Sequence, residues 1–226
     1  MFDAFIFDLD GLLVNTELPY HRAWEELFQR HGQELPMDQW LLCLGRMDVV
    51  DFWDVLEDRC GQGLDRATLK PALKAAFMDE VRAHPEPMPG VRRLLADMKR
   101  RGVLAGLAST SDDRWVYGML KVVGLEDAFQ AVVTSSDVKH GKPAPDVYLR
   151  CSEKLGVDPA RCLALEDSCY GLQAAKAAGM TCYVVPSELT CRQDLSLADG
   201  RLDSLEDLDL NCLSDTDVSL AEAPAP

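Results

Sequence analysis

The sequence predicts an α/β fold, a parallel sheet covered by helices on both faces, with a helical bundle inserted after the first strand. Three observations carry this expectation. Short apolar runs suited to buried strands alternate with helical patterns from residue 90 to residue 185. About four helical patterns succeed one another without a strand from residue 16 to residue 84. The first apolar run, Phe5-Ile6-Phe7, stops abruptly at Asp8-Leu9-Asp10-Gly11. At 226 residues the chain has room for one large domain, or a medium one with an insertion.

Phe5 to Phe7 is aromatic and β-branched, as in a strand buried on both faces. After Asn15 the period changes, and Ala23, Trp24, Leu27 and Phe28 fall on one helical face that Gly32 can end. Further helical patterns run from Met37 to Leu44, around Val49, Phe52, Trp53 and Leu56, and through Leu69, Leu73, Ala76, Phe77 and Val81. The stiff segment His84-Pro85-Glu86-Pro87-Met88-Pro89-Gly90 closes the insertion, so the crossings near Asn15 and Pro85–Pro89 form a double hinge.

From Gly90 the rhythm is helix, strand, helix, strand. Val91, Leu94, Leu95 and Met98 mark an amphipathic helix ending at Lys99-Arg100-Arg101-Gly102, with cations in its last turn and glycine beyond. Strands are expected at Val103–Ala108, Ala131–Thr134, Cys162–Leu165 and Thr181–Val185, with helices marked by Trp115 to Val123, Val147 to Leu155 and Tyr170 to Ala178 between them. Five alternating strands predict a parallel sheet. The resulting division is a core of residues 1–15 and 86–212, a helical cap of residues 16–85 and a disordered tail of residues 213–226, which carries acids, alanines and prolines without apolar periodicity.

Composition narrows the function. The net charge of −15, from 38 acidic against 23 basic residues, argues against a nucleic-acid partner. No apolar run spans a bilayer and no basic leader precedes the first strand, so a cytoplasmic protein without a membrane partner is expected. The eight cysteines include no Cys-x-x-Cys pair, which speaks against a zinc site, and reduced thiols fit a cytosol. There is no Gly-x-Gly-x-x-Gly, and Gly141-Lys142 precedes proline rather than Ser or Thr, so neither nucleotide fingerprint is met.

Each strand gives way to polar residues: Asp8 and Asp10, then Ser109, then Lys142, then Glu166 and Asp167. In a parallel sheet these ends share one edge, where ligands bind. Taken singly, each has a bland alternative: an Asp-x-Asp-Gly turn, a helix cap at Ser109 or Asp167, a loop lysine at Lys142. As an ordered set of four acids, a lysine and a hydroxyl, they suit phosphoryl chemistry, because Mg²⁺ takes carboxylate and carbonyl oxygens and lysine offers a point charge to phosphate.

The same segments resemble the four motifs of the haloacid dehalogenase (HAD) superfamily: Asp8-Leu9-Asp10-Gly11, Ser109 after a hydrophobic strand, Lys142 in Gly-Lys-Pro-Ala-Pro-Asp, and Glu166-Asp167-Ser168 before the Gly171 helix. With the insertion after the first motif, the chain resembles the β-phosphoglucomutase-like phosphatases of that superfamily, from residue 1 to about residue 210. The resemblance implies a Rossmann-like core with an α-helical cap and a Mg²⁺-dependent phosphatase acting on a small phosphorylated metabolite, a sugar or polyol phosphate. It implies Asp8 as nucleophile, Asp10 as general acid and base, Mg²⁺ at Asp8, Asp10 and Asp167 with Glu166 ligating directly or through water, and Ser109, Thr110 and Lys142 as phosphate ligands. An acid at position 10 separates the chain from the superfamily's metal-free dehalogenases. Cap candidates for the leaving group are Tyr20, His21 and Arg46 in the loop Gly45-Arg46-Met47-Asp48. The family's sugar-phosphate mutases carry Asp-Thr and then a cap histidine. Here Asn15-Thr16 leads to Tyr20 at the matching position, with His21 one step, about 100°, around the helix. That favours hydrolysis, with a mutase as the alternative. A monomer is expected, a dimer being the alternative.

Overall fold

The computed structural model describes residues 2–46, 49–61 and 63–210. The expected tail, Cys212, and Met47 and Asp48 of the cap loop lie outside the described residues.

The strands are β1 (Ala4–Phe7), β2 (Leu104–Ala108), β3 (Ala131–Val133), β4 (Cys162–Glu166), β5 (Thr181–Val184) and β6 (Gly200–Arg201). They form one parallel sheet in the order β3-β2-β1-β4-β5-β6. The five expected strands are present, and β6 is added at the edge. Every residue of β1 is buried, as its unbroken apolar run demands in a sheet covered on both sides.

Alternation along β1 assigns the two faces. Phe5 and Phe7 join Leu107, Leu163 and Leu165 in a cluster with Val91, Leu94 and Met98 of α5 (Val91–Arg101) and Val116, Met119 and Leu120 of α6 (Asp113–Val122). Ala4 and Ile6 face the other way, with Val147, Tyr148 and Cys151 of α7 (Asp146–Leu155) and Leu172, Ala174 and Ala175 of α8 (Cys169–Ala177).

Between β1 and α5 come α1 (Glu17–Arg30), α2 (Met37–Cys43), α3 (Phe52–Cys60) and α4 (Arg66–Ala83). Their core is aromatic. Trp24 packs on Trp53 with ring centroids 4.8 Å apart, and Trp40 on Phe52 at 5.0 Å. This cluster runs without a break into Leu9, Leu12 and Leu13 behind β1, so the insertion is seated on the sheet's own core. No helix among the described residues is long and apolar enough to cross a membrane.

Gly106 in the middle of β2 is required by packing: a Cβ there would lie 2.5 Å from Cys151 Sγ and 3.0 Å from Leu155 Cδ1 of α7. Gly106→Ala should therefore lower stability by about 1–3 kcal/mol through overpacking. Urea unfolding checks this, and adding Cys151→Ala should recover part of the loss by making room.

Candidate active site

The strand order reverses direction at β1, with β2 and β3 to one side and β4 to β6 to the other. In such sheets the crevice beyond the carboxyl ends of the central strands is the ligand site. Asp8 comes immediately after β1, Glu166 ends β4 with Asp167 next, Ser109 comes directly after β2, and Lys142 arrives in the loop before α7. A cleft of about 420 Å³ opens there, lined among others by Asp8, Asp10, Ser109, Thr110, Lys142 and Asp167.

The floor of the cleft is a buried charge cluster. Lys142 Nζ donates to Asp8 Oδ1 and, at 2.6 Å, to Glu166 Oε1. Tyr148 Oη donates to the same Glu166 oxygen at 2.5 Å, and Glu166 Oε2 accepts from the Asp167 N–H at 3.2 Å. Carboxylate oxygens of Asp8, Glu166 and Asp167 lie within 4.8 Å of one another, and all three residues are buried. Three acids thus face one ammonium. At an effective dielectric constant of about 20, two unit charges at that spacing repel by roughly 3 kcal/mol. The cluster therefore calls for either protons or a further cation. Burial, with Glu166 and Asp10 adding to it and Lys142 opposing it, pushes Asp8 well above the usual carboxylate range. Burial also raises Asp167, reinforced by Asp8, Glu166 and Glu17. For Lys142 burial works against the charge, but Asp8 and Glu166 outweigh it and hold the ammonium protonated. The acidic donor set is one that can hold a metal ion.

Two glycines make room for these acids. A Cβ on Gly171, in the first turn of α8, would lie 1.9 Å from Glu166 Oε1. Gly11 has φ +85°, and its Cβ would fall 2.2 Å from Asp167 Oδ2.

Asp10 is held differently, by neutral donors. Its Oδ1 accepts from Thr16 Oγ1 and Trp115 Nε1, each at 2.9 Å, and its Oδ2 from Ser111 Oγ at 2.9 Å. Ser109 Oγ accepts from the Ser111 N–H at 3.1 Å, which leaves its own hydroxyl proton to donate into the cleft.

The helical insertion supplies the opposite wall, with Glu17, Tyr20, Gly45, Arg46 and Phe77. Phe77 stacks on Trp115 of the core at 5.5 Å and 20°, and Tyr20 meets Phe77 edge-on at 5.2 Å. Gln193 ties the two parts together: its Nε2 donates to the Leu41 and Leu44 carbonyls at the end of α2, while its Oε1 accepts from the Cys169 N–H that opens α8. This seats Gly45 so close to Ser168 that a Cβ would lie 2.6 Å from its Oγ.

Of the residues expected from sequence, Asp8, Asp10, Asp167, Ser109, Thr110, Lys142, Tyr20 and Arg46 all line the cleft, with Glu166 buried behind them. His21 does not. It is buried edge-on against Trp40 at 5.1 Å inside the insertion, because one step along α1 turns it away from Tyr20's face. Thr16, Glu17, Phe77, Ser111, Trp115 and Tyr148 were not expected. The aromatic ones sit at helix positions whose apolar spacing reads as core.

The family model for haloacid dehalogenase-like hydrolases matches residues 5–185. Hexitol phosphatase B of Escherichia coli (strain K12) is 38% identical over 210 residues, covering 91% of this chain and 93% of the relative. Fructose-1-phosphate phosphatase YqaB of the same strain is 33% identical over 184 residues, covering 77% and 92%. Among solved structures, CbbY from Rhodobacter sphaeroides in complex with phosphate superposes with a TM-score of 0.70 at 29% identity, covering 92% of this chain and 96% of that one. The chain belongs to the haloacid dehalogenase-like hydrolase family.

Glu17 yields a pH prediction. Its Oε2 is buried without a hydrogen-bond partner, and burial, with Asp10 nearby, raises its pKa to about 8. A carboxyl whose folded pKa lies above its unfolded one stabilises fully below the unfolded pKa, and that contribution fades as pH rises through the folded value. Between pH about 4.5 and about 8, Glu17 therefore erodes stability. Glu17→Gln should match the parent near pH 4 and exceed it near pH 9, as read by urea unfolding in EDTA.

Proposed function

We propose that this chain is a Mg²⁺-dependent phosphatase that hydrolyses a small phosphomonoester, a sugar or polyol phosphate, through an aspartyl-phosphate on Asp8. The observation that carries the reading is the buried set of three acids around Lys142 at the mouth of β1 and β4. A carboxylate nucleophile can approach an anionic phosphate only where positive charge surrounds both.

The residues fit the ion. Asp167 Oδ2 is buried without a hydrogen-bond partner, and the donor set is carboxylate oxygen, which Mg²⁺ prefers. The side chains of Asp8 and Asp167 and the carbonyl of Asp10 would hold it. Glu166, whose oxygens already accept from Lys142, Tyr148 and the Asp167 N–H, would stand behind them. Bound there, the ion would supply positive charge at the phosphoryl oxygens.

Asp8 attacks phosphorus in line as the bond to the leaving oxygen breaks, and Asp10 gives that oxygen a proton. Asp10 then takes a proton from the water that cleaves the acyl phosphate, regenerating Asp8 and freeing phosphate. Lys142, the Ser109 hydroxyl and Thr110 hold the phosphoryl oxygens through both halves. Residues 16–85 act as the cap over a core of residues 1–15 and 86–212, shielding the intermediate and choosing the leaving group. Tyr20 offers an apolar face to C–H groups, while Glu17 and Arg46 offer polar contacts to hydroxyls. A sugar or polyol leaving group agrees with relatives named hexitol phosphatase and fructose-1-phosphate phosphatase. Tyr20 in the cleft, with His21 turned inward, supports hydrolysis over the mutase alternative.

Free phosphate released from hexose, hexitol and glycerol phosphates tests the reading. EDTA should abolish turnover and Mg²⁺ restore it, whereas isomerised sugar phosphate without free phosphate would point to the mutase. Asp8→Asn should lower kcat by at least about a thousandfold. A variant as fast as the parent would remove Asp8 from the role of nucleophile.

A further inference from the structure

Trp115 has the apolar spacing of a core residue, yet it lines the cleft and its indole N–H points at Asp10 Oδ1 from 2.9 Å. Its ring is clamped by Phe77 of α4, nearly parallel at 20°. Three groups among the described residues bond the Asp10 carboxyl, and they are not equivalent. Thr16 and Ser111 offer hydroxyls, which can donate or accept, whereas indole can only donate. While the indole N–H is in place, Oδ1 must stay an acceptor. A proton on Asp10 then belongs on Oδ2, with Ser111 Oγ turning from donor to acceptor.

We propose that Trp115 is a positioning residue for Asp10, fixing Oδ2 as the oxygen that holds and passes the proton. The inference rests on the reading of Asp10 as general acid and base. In the first half-reaction the Asp8–phosphorus bond forms and the bond from phosphorus to the ester oxygen breaks. The Oδ2 proton moves to that oxygen, leaving Asp10 as the carboxylate. In the second, a water oxygen bonds phosphorus and the Asp8–phosphorus bond breaks, and the proton lost by the water returns to Oδ2. Without the indole either oxygen can carry the proton, and a share of the molecules hold it on the wrong one.

The leaving group separates positioning from mere structure. An alkoxide needs the proton as it departs, whereas p-nitrophenolate leaves unaided. Trp115→Phe keeps an aromatic ring against Phe77 while it removes the N–H and trims the indole to a single ring. It should lower kcat/KM for hexose, hexitol or glycerol phosphates by about tenfold or more, with p-nitrophenyl phosphate changed less than about threefold and KM for both near the parent's. Equal losses on the two substrate types, or no loss on either, would overturn the inference. Should Trp115→Phe fail to fold, Phe77→Leu carries the same comparison, since it leaves the N–H but loosens the ring that aims it. There too, a larger loss on the alkyl esters supports the proposal and an equal loss refutes it. A parent enzyme that releases phosphate from none of these substrates would defeat the phosphatase reading itself, and the inference with it.

Discussion

The constraint on which the rest of the molecule depends is charge packed out of water. Asp8, Glu166 and Asp167 are buried around one ammonium, and the fold must hold them there although burial and mutual repulsion both oppose it. Parallel topology does part of this by ending β1 and β4 side by side, in register from Ala4 opposite Cys162 to Phe7 opposite Leu165. Hydrogen bonds do more, since Tyr148, Lys142 and the Asp167 N–H together occupy both oxygens of Glu166. Glycine does the rest. At positions 11 and 171 any side chain would occupy the space of a carboxylate oxygen. The short loop after β1 and the start of α8 are thus shaped by the acids they enclose.

The helical insertion answers a second requirement, that the cleft be walled on the side away from the sheet. Its aromatic core continues into Leu9, Leu12 and Leu13, so the insertion and the strand that carries Asp8 share one apolar body. Two contacts between the insertion and the core differ in kind. Phe77 on Trp115 is an apolar ring stack, whereas the Gln193 amide joins two helix ends through directional bonds that fix one arrangement.

Most of this was legible because strand ends announce themselves. A run such as Cys162-Leu163-Ala164-Leu165 that breaks at Glu166-Asp167 marks both a strand and its functional edge, and four such breaks in order specified the crevice. β6 left no signal, because a strand of two residues, Gly200–Arg201, has no apolar run to detect. His21 shows the limit of reasoning by neighbourhood: it is polar, adjacent to Tyr20 and on the right helix, but helical phase buries it against Trp40. Trp115 and Phe77 were hidden for the opposite reason, as their spacing satisfied an amphipathic helix and gave no hint that they face the site. Glu17 opens α1, where an acid is ordinarily explained by the helix dipole.

The two carboxyl groups of the chain's first motif illustrate how environment divides labour between like residues. Asp8 and Asp10 are two positions apart, yet Asp8 is buried and meets a lysine, while Asp10 is partly exposed and, among the described residues, is hydrogen-bonded by neutral donors. A carboxyl pinned by a cation keeps its position, which suits the nucleophilic role proposed for Asp8. One bonded by the Thr16 and Ser111 hydroxyls, which can donate or accept, and by an indole that can only donate, suits the acid-base role proposed for Asp10. Exchanging the two environments would leave the same residues in the same sequence and neither would be fit for its part. The chemistry of this cleft therefore resides less in the pair of acids than in what α6, α7 and the loop after β1 bring against each of them.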